Sequence, residues 1–76
     1  MSPTESLNAE DWYARAAEDL RAAAILLEHG GSMSVVAFEL QQGVEKLLKG
    51  WLLGRGWELE RTHNLVHLLN DAVLRN

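Results

Sequence analysis

The central segment of the chain places the strongest constraint on how the chain can fold. It runs from Ser32 or Ser34 to about Leu53, and its apolar residues recur at helical spacing. The main apolar set is Val36, Ala37, Leu40, Val44, Leu47, Leu48, Trp51 and Leu52. Val35, Phe38 and Leu53 widen this stripe further. A two-helix hairpin cannot cover so broad a surface, so we expect this helix to be central and to need cover from another polypeptide.

A first helix precedes the central one. Asn8 is a good N-cap residue, and Glu10 and Asp11 follow it in the turn where acidic side chains favour the helix dipole. The apolar residues of this helix are Trp12, Ala16, Leu20, Ala23, Ala24 and Leu27. Gly30 and Gly31 are expected to end it.

A third, shorter helix follows the central one. Gly54-Arg55-Gly56 is expected to end the central helix, and Thr62 can cap the next helix. Its apolar residues are Leu65, Leu68, Leu69, Ala72 and Val73. The sequence therefore predicts an all-α protein, an antiparallel up-down helical bundle with three helices. Residues 1–7 are expected to be a flexible tail, and residues 8–76 the helical domain.

Two glycines lie inside the predicted central helix. Gly43 and Gly50 are one heptad apart, and each costs about 1 kcal/mol of helix stability relative to alanine. A close approach of another helix along this line is the expected compensation.

The composition leaves few ways to reinforce a core this small. Domains of about this size commonly add disulfides, metals or further subunits. The 76-residue sequence has no cysteine, and its histidines, His29, His63 and His67, form no metal-binding motif with carboxylates. We therefore expect no metal and no cofactor, and we expect a homodimer or a higher oligomer.

The charge and hydropathy of the sequence argue against a general nucleic-acid-binding protein and against a membrane protein. The net charge is −4, and the acidic excess lies in the first half, because acidic and basic residues balance in residues 32–76. A protein that binds nucleic acid mainly through its phosphates needs a basic face, which an overall acidic chain does not provide. Contact with RNA or a nucleotide is therefore expected only from a local cluster of basic residues in the second half.

No apolar run approaches the roughly 18 residues of a membrane span, and the polar N-terminus is unlike a signal peptide. We expect a cytoplasmic protein without membrane contact.

Residues 38–49 read FELQQGVEKLLK, and Thr62-His63-Asn64-Leu65 follows after a glycine-containing loop. Together with the first helix, these stretches resemble, in order, the HEPN family of nucleotide-binding helical domains. The first stretch is similar to the family's F-x-x-Q-Q-x-x-E-K-x-L-K central helix, and the second resembles its Thr-His-Asp-Leu. The resemblance covers about residues 11–70.

The resemblance implies an antiparallel bundle that commonly dimerises. Many family members act beside a minimal nucleotidyltransferase, as its substrate-binding partner or as half of a toxin–antitoxin pair. Others are metal-independent ribonucleases with an arginine–histidine pair. This sequence departs from the family in having Asn64 where Asp is usual, and in lacking the long fourth helix that usually holds the pair. We therefore expect a natural short form or the front part of a longer protein.

Arg61, His63 and His67 are the candidate catalytic residues. Arg61 and His67 have the spacing of the ribonuclease pair, and His63 matches the family's histidine. An imidazole can take the proton of a ribose 2′-hydroxyl, and a guanidinium can hold the scissile phosphate. The alternatives are a chance spacing between a loop arginine and a surface histidine, and a neutral His63 that hydrogen-bonds in the first turn of the third helix.

Lys46, Lys49, Arg55 and Trp57 are the candidate ligand-binding residues. The three cations would supply positive charge for a phosphate, and Trp57 would stack on a base. For the lysines, the alternatives are a solvated helix face with a Glu45–Lys49 ion pair and a polar seam buried at an interface. For Trp57, the alternative is a tryptophan that folds back over the end of the hairpin.

The candidate interface residues are Trp12, Leu40, Val44, Leu47 and Trp51. For the two tryptophans, the alternative is a place in the core.

These observations favour a non-catalytic binding and assembly protein. The resemblance suggests that it dimerises and acts with a nucleotidyltransferase-type partner or binds a nucleotide, in a toxin–antitoxin-like system. A metal-independent endoribonuclease of the HEPN toxin type is the first alternative. A purely structural helical oligomer is the second.

Overall fold

A computed structural model describes residues 6–57 and 64–75 of the chain, which form three α-helices and contain no strand. Helix α1 spans Ala9–Glu28, α2 spans Met33–Leu53 and α3 spans Leu65–Arg75. The all-α prediction is confirmed. Helix α2 is central, since it packs along α1 and also against α3, whereas α1 and α3 barely meet.

The ends of α1 follow the sequence signals. The Asn8 side chain accepts a hydrogen bond from the Glu10 backbone N–H at 3.0 Å, which is the predicted N-cap. The helix ends at Glu28, and Gly30 turns the chain with a φ of +73°. A positive φ is a conformation that glycine adopts without steric cost.

Ser6 lies against the start of α1 and is buried. Its carbonyl oxygen accepts a hydrogen bond from Trp12 Nε1 at 2.8 Å, and its hydroxyl donates to Asp11 Oδ2 at 2.7 Å. These contacts hold Ser6, which lies in the predicted tail, against the first turn of α1. Residues 1–5 of the predicted tail lie outside the described residues.

Helices α1 and α2 are antiparallel and close together at the two glycines. A Cβ atom on Gly43 would lie 2.7 Å from Leu20 Cδ2. A Cβ atom on Gly50 would lie 2.8 Å from Tyr13 Cε1 and 3.1 Å from the Ala9 carbonyl oxygen. The predicted close helix–helix approach is therefore confirmed.

The cap of α3 differs from the prediction. The helix begins at Leu65, and Asn64 Oδ1 accepts a hydrogen bond from the His67 backbone N–H at 3.1 Å. Asn64 is therefore the N-cap in place of Thr62, which lies outside the described residues. Asparagine and aspartate are comparable N-caps, so the departure from the family's Thr-His-Asp-Leu leaves the capping chemistry intact.

A small core joins α3 to α2. Leu52, Trp57 and Leu68 are buried together, and Leu48, Trp51, Leu53 and Ala72 pack around them. Leu68 is the one buried residue that the structure describes in α3. Helix α3 is consequently held at one edge of the domain. Within the described residues, none of the helices is long and apolar enough to cross a membrane.

Candidate functional site

An open apolar groove of about 530 Å³ runs along α2 between α1 and α3. Its lining consists entirely of aliphatic and aromatic side chains, namely Tyr13, Val44, Leu47, Leu48, Trp51, Leu69, Ala72 and Val73. The groove exists because α1 and α3 flank α2 without meeting over this face. We call it the α2 groove.

Exposed apolar side chains line the α2 groove and also occur outside it. In the described part of the chain, fourteen large hydrophobic side chains are exposed, whereas the buried hydrophobic residues number seven. Scattered exposed leucines are normal on a protein surface, but a contiguous apolar patch marks an interaction site or a ligand groove. Such a surface binds other apolar surfaces, and it offers no charge to a phosphate.

Three of the five candidate interface residues line this groove, and a fourth, Leu40, is exposed one turn before Val44 on α2. Val44 and Leu47 line it and are exposed by 41% and 40%, and Leu40 is exposed by 46%. Trp51 is half-buried in its lining. Whether these residues contact another chain stays a prediction.

Trp12 is different, because the structure places it in the core, which was the alternative to an interface. Its side chain is 2% exposed, because Ser6 covers its indole N–H and the Lys49 ammonium lies 5.3 Å from its ring centre. Trp12 therefore belongs to the core of the α1–α2 pair.

Lys49 is buried, so the structure does not place it at a surface where a ligand would meet it. Its exposed fraction is 3% and that of Glu45 is 1%, and Lys49 Nζ lies 3.4 Å from Glu45 Oε2. A lysine in this position neutralises a carboxylate inside the fold. The prediction of a ligand-binding Lys49 is therefore corrected to a structural role.

Lys46 links the two long helices. Its ammonium contacts Asp19 Oδ2 at 2.5 Å, and both side chains are about one-fifth exposed. This ion pair joins α2 to α1 across the helix interface. A ligand phosphate at Lys46 would have to share the ammonium with the Asp19 carboxylate, which weakens the assignment of Lys46 as a ligand-binding residue.

Arg55 and Trp57 follow α2 and have opposite environments. Arg55 is exposed, and its guanidinium carbon lies 3.7 Å from the ring centre of Trp51 in a cation–π contact. Trp57 is 5% exposed and packs in the core with Leu52 and Leu68. This buried position does not fit a tryptophan that stacks on a base, and Trp57 instead folds back onto α2 and α3.

His67 is the catalytic candidate whose position the structure describes. Its Nε2 lies 3.4 Å from Asp71 Oδ2, one turn later on α3, and Trp57 Nε1 donates to the same oxygen at 3.1 Å. The carboxylate therefore orients a half-exposed imidazole and also ties Trp57 to α3. Arg61 and His63 lie outside the described residues, so the spacing of Arg61 and His67 remains a sequence observation.

Tyr13 and Asp71 are residues whose roles the sequence analysis did not identify. Glu45–Lys49 and His67–Asp71 are both spaced by one helical turn, which is visible in the sequence. That spacing cannot show that the first pair is buried or that the second shares Trp57. In residues 6–57 and 64–75, no three His, Cys, Asp or Glu side chains are grouped so that they could hold a metal.

Comparison with known proteins gives one match. The sequence model of the HEPN domain matches residues 9–75, which is nearly the whole chain and includes all three helices. No significant match was found among curated proteins or among solved structures. The chain therefore belongs to the HEPN family.

Proposed function

We propose that this HEPN protein is a binding and assembly subunit that self-associates through the α2 groove. The carrying observation is that groove, which has no charged side chain in its lining and stays open to solvent. Water-exposed apolar area is unfavourable by about 25 cal/mol per Å², and a second polypeptide removes that area from water. From the family resemblance we further propose that this subunit acts with a nucleotidyltransferase-type partner, or binds a nucleotide, in a toxin–antitoxin-like system.

The positions of the cations support assembly more than nucleotide binding. Lys49 is buried with Glu45, and Lys46 is paired with Asp19. Arg55 remains exposed beside Trp51, so any phosphate contact would centre on this arginine. A nucleotide titration of wild-type protein and Arg55→Gln would test this part of the proposal, since a phosphate-binding Arg55 predicts saturable binding that the variant weakens.

Light scattering coupled to size-exclusion chromatography tests self-association. The chain has a mass of 8.5 kDa, so we expect at least twice this mass in solution. Val44→Asp introduces a charge into the groove lining and should return the protein to the monomer mass. Ile25→Asp is the matched control, because Ile25 is 50% exposed on α1 and does not line the groove. A wild-type monomer at all concentrations would refute the proposal.

A metal-independent ribonuclease is the second candidate, and the His67–Asp71 contact favours it. A carboxylate that fixes an imidazole is a common arrangement for a general base. The test is cleavage of labelled RNA in EDTA by the wild-type protein and by His67→Ala. Cleavage by the wild-type protein that is lost in the variant would show that the protein is a ribonuclease and not a non-catalytic subunit. No cleavage under these conditions is the result that the assembly proposal expects.

A further inference from the structure

Helix α3 is the least covered helix of the fold. It has 11 residues, of which Leu68 is buried, while Val66, Leu69, Val73 and Leu74 are between 49% and 83% exposed. It packs on α2 and barely meets α1. Isolated helices shorter than about 12–15 residues are marginal in water, so α3 depends on tertiary contacts for its stability.

Two residues of α3 line the α2 groove and are also exposed to solvent. Leu69 and Val73 line the α2 groove, and they are also 49% and 73% exposed. They therefore form one wall of the groove and, at the same time, an apolar ridge that projects from the domain. A two-fold interface uses the same patch on both subunits, so the patch must complement itself. A surface that carries both a groove and a ridge meets this requirement.

We propose that the α2 groove is filled by α3 of a second copy, with the two α3 helices antiparallel and in mutual contact through Leu69 and Val73. The proposal rests on the self-association proposed above and names its interface. Each copy would receive the ridge of the other in its own groove. The fourth position beside α2 would thus be occupied by a helix from the partner copy.

The dimensions of the chain fit this arrangement. A stable interface buries about 800 Å² on each partner, and the chain exposes 5057 Å² in all. The chain measures 39 × 26 × 18 Å, so its broadest face has a projected area of about 1,000 Å². An end of the molecule has about half of this area, which is less than the roughly 800 Å² that each partner of a stable interface buries. The α2 groove is formed by side chains of all three helices and so occupies a broad face.

Electrostatics also favour the second copy. The groove lining contains no charged group, so closing it buries no unpaired charge. Each copy carries a net charge of −4, but charges further apart than about 8 Å are largely screened at physiological salt. Antiparallel α3 helices also place opposite ends of their macrodipoles together.

Cysteine cross-linking tests the interface directly, because the chain has no native cysteine. Leu69→Cys and Val73→Cys would each be made in the full 76-residue chain and oxidised at micromolar concentration. A disulfide needs Cα atoms within about 7 Å, so we expect a covalent dimer from at least one of these variants. Ile25→Cys and Phe38→Cys are the matched controls, being 50% and 56% exposed outside the groove lining. They should remain monomeric on a non-reducing gel.

The outcomes separate this inference from the proposed function. A dimer by light scattering that cross-links through Phe38 or Ile25, and not through Leu69 or Val73, overturns the inference and leaves self-association standing. A wild-type monomer overturns both. Val73→Asp provides a second measurement that needs no disulfide, since Val73 is 73% exposed and its replacement leaves the monomer core intact. It should dissociate the dimer while circular dichroism remains helical, and a dimer that survives this change contradicts the inference.

Discussion

Lys46 and Lys49 lie one helical turn apart on α2, yet the fold gives them different environments. Lys46 reaches Asp19 at the partly exposed edge between α1 and α2. Lys49 is enclosed with Glu45 beneath the ring of Trp12. The sequence shows the one-turn spacing of Glu45 and Lys49, but their burial depends on Trp12, which comes from another helix. Spacing within one helix therefore could not distinguish the structural lysine from an exposed one.

Lys49→Met is expected to lower the free energy of unfolding by about 3 kcal/mol. The substitution leaves the Glu45 carboxylate buried without its lysine, and breaking a buried pair costs about 3–5 kcal/mol. Urea unfolding followed by circular dichroism measures this change. Lys46→Met is the control, and it should cost less than Lys49→Met because the Lys46–Asp19 pair is partly solvated.

Equal costs for the two lysine variants would contradict the structural role of Lys49. The double variant Glu45→Leu/Lys49→Met adds a further check. It removes both charges, so it should recover a measurable part of the stability that Lys49→Met loses.

At the scale of the helices, the α1–α2 pair is defined by the two glycines of α2. The lack of side chains at Gly43 and Gly50 lets Leu20 and Tyr13 approach the α2 backbone. Tyr13 also lines the α2 groove, so the glycine contact positions one groove wall.

Gly50→Ala is expected to destabilise the protein by about 1 kcal/mol or more. Overpacking against Tyr13 and the Ala9 carbonyl costs about 1–3 kcal/mol, which exceeds the gain in helix propensity of about 1 kcal/mol when the site cannot relax. Gly54→Ala is the matched control. Gly54 has a helical φ of −65°, and the nearest heavy atom to its Cβ position is 3.5 Å away, so alanine should be neutral or stabilising there. Denaturant midpoints of the two variants provide the comparison, and a stabilised Gly50→Ala protein would contradict the close approach.

The helices themselves could largely be predicted from the sequence, because their signals are local. Asn8, Gly30 and Gly54 act within a few residues, and all three mark helix ends in the structure. The start of α3 was misplaced because Thr62 and Asn64 are both good caps. Only the hydrogen bond from the His67 N–H to Asn64 distinguishes them.

At the scale of the whole molecule, the chain is more extended than a compact domain. Its radius of gyration is 13.0 Å, whereas about 11 Å is typical of a 76-residue domain. The extension follows from the arrangement of two helices, α1 and α3, beside the central α2, since α1 and α3 scarcely touch each other. The sequence could show that the stripe on α2 is too wide to be covered. It could not show that the uncovered part is a groove with Leu69 and Val73 in its wall, since that depends on where α3 docks.

The melting temperature of the wild-type protein is expected to rise with protein concentration. Association stabilises the folded state by mass action, so a tenfold increase in concentration should shift the midpoint upward by a measurable few degrees. Differential scanning calorimetry at several concentrations measures this shift. Val73→Asp should melt at a midpoint that does not change with concentration. A concentration-independent wild-type midpoint would indicate a self-sufficient monomer.

The open α2 groove also bears on the fate of newly made copies in a cell. A contiguous apolar surface is what chaperones and proteases recognise on incompletely folded chains, and it is also a liability for aggregation. A copy whose groove stays uncovered would therefore be cleared sooner than one whose groove is covered. Quality control would then hold the amount of this protein close to the amount that finds its binding partner, without a separate regulatory device.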